Sequence, residues 1–169
     1  MSFTSAGTTL AISAGLPASL DGQGYQALVY TEIVGVESIS AFGPNTATAP
    51  FQPLAGLAEK NKGGTNYGSL QVPIAVDKSD PGQALLWVAG DPVNRAMYAF
   101  LVTFTNGDRR FFLAKVFGVP ETPGAATNNL MATASIEIIT PIWKINTNDG
   151  VLDFADPQGL ATSLLTGVL

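Results

Sequence analysis

Asp77, Asp80 and Asp91 form the densest acidic group in the chain, and three carboxylates within fifteen positions are the raw material for a metal or acid–base site. A hard cation needs several convergent oxygens. The local pattern instead assigns Asp80 to a helix cap and Asp77 and Asp91 to the turns on either side. Asn148-Asp149-Gly150 with Asp153 and Asp156 has the flavour of a calcium loop but lacks the ligand order and the closing glutamate. Arg109-Arg110 beside Asp108 offers two cations to a phosphate, too few to hold a polyanion, and reads as a solvated hairpin end or a charge contact with a neighbouring subunit. Gly63-Gly64-Thr65 with Lys60 and Lys62 has neither the residue order nor the strand-to-helix setting of a phosphate loop.

The chain has no cysteine and no histidine among its 169 residues. Disulfides, thiolate nucleophiles and histidine triads are excluded, and nearly all zinc chemistry with them. Only carboxylate catalysis is left, so the expectation is a protein that is not an enzyme and uses no cofactor. The net charge of −5 gives no counterion-release affinity for DNA. No apolar run reaches the length of a membrane span. The first residues lack a basic, then apolar, export signal, which predicts synthesis in a cytoplasm. Hydrophobic residues make up 46% and charged residues 12%, about half the usual charged share. A surface so poorly charged favours association, and ordered self-assembly is one use of it.

The elements that would position these residues are mainly strands. Thr8 to Ile12 predicts a short strand within a small-residue arm broken at Pro17 and Gly22/Gly24. Ala27 to Ser40 predicts a strand pair or one long bent strand with a bulge at Gly35. Residues 44–69 carry three prolines and a Gly-Gly pair. They predict either a disordered loop or an extended hairpin ordered against a partner. Leu70, Val72, Ile74 and Val76 alternate with polar residues, a strand with one buried face, and Pro73 restricts it to an edge or a bulge. Asp80 as cap, Pro81 at the first position, Gln83 reaching back and Gly90 as stop predict one helix of about ten residues, a lid on a sheet. Met97–Thr105 and Arg109–Val119 predict a hairpin turning at Asn106-Gly107, with both faces of the second strand apolar. Leu130–Thr140 predicts a last strand, which Ile142, Trp143 and Ile145 extend or pack upon. The expected fold is an antiparallel β-sandwich or half-barrel with one flanking helix, an extended N-terminal arm and a long loop. Residues 1–140 form the domain and 141–169 an extension of unassigned role.

The order of these features carries a resemblance. Gly7-Thr8-Thr9-Leu10-Ala11-Ile12 is followed by Pro17-Ala18-Ser19-Leu20-Asp21, Gly24-Tyr25-Gln26-Ala27-Leu28 and Thr31-Glu32-Ile33-Val34-Gly35-Val36-Glu37-Ser38-Ile39. After the long loop come Asn66-Tyr67-Gly68-Ser69-Leu70, then Asp80-Pro81-Gly82-Gln83-Ala84-Leu85-Leu86, the Asn106-Gly107 hairpin and the Ala132–Ile138 strand. From Gly7 to Thr140 the series resembles the major tail tube proteins of long-tailed (siphovirus-type) bacteriophages and related gene transfer particles; the residues after Pro141 are not covered.

The resemblance implies six copies closing into a ring, and rings stacking into a hollow tube that conducts DNA without binding it specifically. It implies tape measure, terminator and distal tail proteins as partners, no membrane insertion, and a place in the virion tail after assembly in the host bacterial cytoplasm. Strand edges pairing between copies would remove the edge liability. Thr8, Thr9 and Leu10 of the arm and Phe51, Lys60, Lys62, Asn66 and Tyr67 of the long loop are the expected inter-subunit residues. Glu32, Glu37 and Glu137 are the expected lumen residues, because a negative wall repels the DNA backbone. A carbohydrate-binding or adhesive β-sandwich, with Trp87 and Trp143 as platforms, is one rival reading. A capsid decoration or head–tail connector protein is another.

Overall fold

The computed structural model describes residues 2–147. The Asn148–Asp156 turn considered for calcium and the tail to Leu169 lie outside the described residues.

Leu10 and Ile12, spaced by two, turn the first strand, β1 (Thr9–Ser13), inward, and both side chains are fully buried. A five-residue helix, α1 (Gly22–Gln26), follows where the sequence predicted only a break. The Asp21 carboxylate accepts hydrogen bonds from Gly24 N (2.7 Å) and Ser19 Oγ (2.8 Å), and this cap offsets the low helix propensity of the two glycines. Of the strand pair or long bent strand expected over 27–40, β2 (Thr31–Glu32) and a single bridge, Val36 to Ile74, form. The reason is a change of partner midway. Ile33 N donates to Leu10 O on β1, and then Glu37 N and Ser40 N donate to Pro73 O and Gln71 O. At the crossing point Gly35 adopts φ +80°, a turn that other residues rarely make.

The long loop is a hairpin of β3 (Asn45–Phe51) and β4 (Glu59–Asn66), a separate two-stranded sheet. Next come β5 (Ser69–Ala75), α2 (Pro81–Ala89), β6 (Tyr98–Thr103), β7 (Arg109–Gly118), β8 (Glu121–Thr122), β9 (Met131–Ile138) and β10 (Trp143–Ile145). The main sheet has eight strands, all antiparallel, in the order β2-β1-β6-β7-β9-β5, with β8 beside β9 and β10 beside β7. Because segment 33–40 bonds to β1 at one end and to β5 at the other, it draws the two edges of the sheet together into a half-barrel. Pro73 lies on the β5 edge, as expected. The carbonyls of Gln71 and Pro73 on that outer side face segment 33–40, so the missing N–H falls outside the β9 ladder.

The main core fills the concave side: Leu10, Ile12, Phe100, Val102, Phe112, Leu70, Ile74 and Ile136 from the sheet, with Leu86 and Ala89 of α2 as the lid. Each large apolar side chain so buried contributes on the order of 2 kcal/mol. A smaller cluster lies on the convex side, where Tyr25, Leu28 and Tyr30 cover Phe111 and Leu113, and Trp143 and Ile145 close it. Tyr25 stacks on Phe111 with centroids 5.6 Å apart. β7 is therefore central and buried on both faces. Its neighbour on one side changes from β10 at Arg109–Phe111 to β9 from Ala114 onward.

Two local predictions are refined. Gln83 does not reach back to the cap. Its backbone N–H donates to Asp80 Oδ2 (2.8 Å), while its buried side chain bonds to Val34 O, Ala75 O and Asp77 N. At the β6–β7 turn only Gly107 takes positive φ (+89°). The loop is the three residues Thr105-Asn106-Gly107, a turn followed by a left-handed glycine rather than a two-residue turn with both φ positive.

Candidate assembly surfaces

The acidic positions resolve as turn chemistry. Asp80 caps α2 and also accepts from Val34 N at 3.1 Å. Asp77 Oδ1 accepts from Ser79 N and Ser79 Oγ, bonds that hold its carboxyl below the ordinary range. Asp91 Oδ1 accepts from Val93 N. Among the described residues no three metal-ligating side chains gather. Arg110 forms an ion pair with Asp108 at 3.7 Å and lies over the Phe104 ring at 5.3 Å, and Arg109 lies over Phe111. Both arginines thus close the hairpin end. Burial pushes the Asp108 carboxyl up, but hydrogen bonds from Thr147 N and Asn106 and the charge of Arg110 outweigh it and hold the group low.

The β3–β4 hairpin is the unusual surface. All but one residue of its strands is exposed, Thr46 being the exception, and no residue of it belongs to either core cluster. An isolated two-stranded ribbon is marginal in water. This one is held by its ladder, by a Thr46–Thr65 hydroxyl contact of 2.9 Å and by a tip in which Gln52 Nε2 donates to Gly56 O. At the tip Phe51 is 58% exposed, Leu57 92% and Leu54 completely. Lys60 and Lys62 project from β4, and Asn66 sits at the root, where its Oδ1 accepts from Gly68 N. Tyr67 differs from the others: it is partly buried against the main core and anchors the root. Leu54 and Leu57 were missed because a sequence of prolines and small residues does not show which apolar positions lack a core.

The N-terminal residues divide. Ser2–Ala6 and Gly7 are exposed, with Thr4 O accepting from Thr105 Oγ1, and Thr8 and Thr9 are half-buried. Leu10 is fully buried, so its side chain has no surface for a neighbour. Its assignment as a contact residue is corrected to core. The strand period that made it look like part of an arm is the period that turns it inward.

The three glutamates are exposed but not gathered. Glu32 lies opposite Ala11 at the β2 edge. Glu137 lies between Lys115 and Ser69, four strands away in the order of the sheet. Glu37 lines a cleft beside Phe42. Around Glu137 the convex face carries Gln71, Thr133, Ser135 and Lys115, a polar strip that stays half-buried to exposed among the described residues. Trp87 packs on the main core and Trp143 on the smaller cluster, so neither is an open platform for a sugar ring.

Solved structures share this chain path. A chain from the sheath/tube terminator of PVC, an extracellular contractile injection system, in the extended state superposes with a TM-score of 0.64 at 9% identity, over 86% of this chain and 98% of that one. A chain from the tail of the empty gene transfer agent particle gives 0.56 at 12% identity, over 81% and 96%. The SPP1 tail tube gives 0.55 at 12% identity, over 89% of both chains. This chain has the fold of tail tube proteins. At such identities the likeness is one of fold, and it spans nearly all of each of these chains. No protein-family model matches the sequence, and no curated protein does.

Proposed function

We propose that this protein is a structural subunit of a tail tube, six copies forming a ring and rings stacking into a hollow conduit for DNA in the tail of a phage or phage-like particle. The observation that carries the reading is the combination of a tail tube fold with a β3–β4 hairpin that is exposed at all but one strand residue and has no core of its own. Such a ribbon gains its order from a partner. The gene transfer agent tail was resolved with six-fold symmetry, which supports six copies here. A head-to-tail contact that closes on rotation gives the ring.

Phe51, Lys60, Lys62 and Asn66 of the hairpin, with Thr8 and Thr9 at the start of β1, are the inter-subunit residues of this reading. The polar strip around Glu137 is the lumen face, and of the three glutamates Glu137 is the one carried forward. Terminator, tape measure and distal tail proteins are the expected partners, and the assembled tail in the virion the expected location. Negative-stain microscopy of the purified chain across a concentration series tests the proposal. Tubes or stacked rings support it; a chain that stays monomeric at every concentration overturns it.

A terminator that caps such a tube is the second reading, favoured by the superposition on the PVC terminator structure. It predicts single rings that never stack.

A further inference from the structure

A cleft of about 460 Å³ opens between residues 5–8 and the segment 36–42. Phe42, Phe104, Val102 and Ile39 give it an apolar side, Ser5, Thr8 and Ser38 add polar groups, and Glu37 is the charged residue on its wall. The cleft lies beside the root of the β3–β4 hairpin. Two residues separate Phe42 from β3, and Gly43 N donates to Tyr67 O across the root at 3.2 Å. Seven residues of strand at about 3.3 Å each put the tip roughly 20 Å from that root. A hairpin therefore cannot fill the cleft of its own chain. Its tip nevertheless presents Leu54 and Leu57 to solvent, an arrangement that marks an interaction site rather than a resting surface.

Charge points the same way. Lys60 is the first basic residue of the sequence, preceded by Asp21, Glu32, Glu37 and Glu59. The cleft walls at 5–8 and 36–42 come from that stretch without a cation. Among the described residues Glu37, Lys60 and Lys62 have no ion-pair partner within the chain.

We propose that the cleft receives the hairpin tip of a second copy, with Leu54 and Leu57 entering beside Phe42 and Phe104 and the β4 lysines meeting Glu37. Donor and acceptor are different surfaces, so the contact is head-to-tail and propagates. The inference rests on the assembly reading above and names the seat that reading leaves open.

The absence of cysteine makes the test clean. Full-length chains carrying Ser38→Cys alone and Leu57→Cys alone are mixed, assembled and oxidised. The expected result is a reducible dimer joining one variant to the other, and a ladder of larger species from the double variant. Leu54→Asp with Leu57→Asp should raise the concentration needed for assembly at least tenfold. Glu37→Lys should do the same, with recovery on adding Lys60→Glu and Lys62→Glu. Assemblies that form normally with the aspartates and give no mixed dimer overturn the cleft assignment while leaving the tube reading standing. A native chain that never assembles removes both.

Discussion

The side-chain amide of Gln83, fully buried in the first turn of α2, donates to the carbonyl of Ala75 at the end of β5 over 2.8 Å. The same nitrogen reaches Val34 O at 2.6 Å, and the amide oxygen accepts from Asp77 N at 2.9 Å. One side chain therefore ties the lid helix to the edge strand and to the segment that draws the half-barrel closed. Gln83→Ala strands two carbonyls and one N–H in a buried site. Each stranded group costs on the order of 1–3 kcal/mol, so a total loss of about 3 kcal/mol is expected in urea unfolding. A change under 1 kcal/mol would show that water replaces the amide and that the tie is dispensable.

Gly107 closes the β6–β7 turn with φ +89°, and a Cβ there would press on Thr147 Oγ1 at 2.9 Å. Gly107→Ala should destabilise by about 1–2 kcal/mol, and thermal melts read the loss. Gly64, on the open ribbon with nothing near its Cβ position, serves as the control. Equal effects at the two sites would refute the turn geometry.

The Asp108 carboxylate accepts from Thr147 N and from Asn106 Nδ2 and faces Arg110, so its pKa lies below the unfolded value. A depressed carboxylate stabilises the fold above the unfolded pKa, and that contribution is lost as pH falls through the folded one. The contact between the turn and Thr147 should hold from neutral pH down to about 4, the ordinary carboxylate value, and loosen below it. The Thr147 amide resonance should titrate in that acid window, and Asp108→Asn should abolish the titration. A titration near neutral pH would contradict the assignment.

Removing residues 46–64 takes away the ribbon and leaves its root, closed by Gly43 and Tyr67. Because no core residue is lost, the shortened chain should melt within a few degrees of the native one. By sedimentation it should remain unassembled. Tubes formed normally by that deletion would dismiss the hairpin as an assembly element.

Glu137 faces Lys115 across the β7–β9 ladder on the polar strip. If the strip lines the conduit, Glu137→Lys places added positive charge along the path of DNA. Particles should assemble but eject DNA more slowly, by severalfold in a dye-release assay at low salt, with the defect shrinking as salt screens the charge. Ejection at the native rate would remove Glu137 from the lumen.

Much of this was legible in the residues, because it rests on short-range rules. The β5 alternation, the Asp80-Pro81 start of α2, the Asn106-Gly107 turn and the two apolar faces of β7 each depend on neighbours within a few positions. The same rules exclude thiolate and imidazole chemistry, as the chain has neither cysteine nor histidine. Only the tertiary structure decided where edges meet. Segment 27–40 has the apolar content of a strand, yet it divides its hydrogen bonds between β1 and β5, a choice made by strands distant in sequence. Leu10 and Leu57 are the same residue type in unremarkable surroundings. One is in the core and the other in solvent, because burial depends on what the rest of the chain places opposite a side chain.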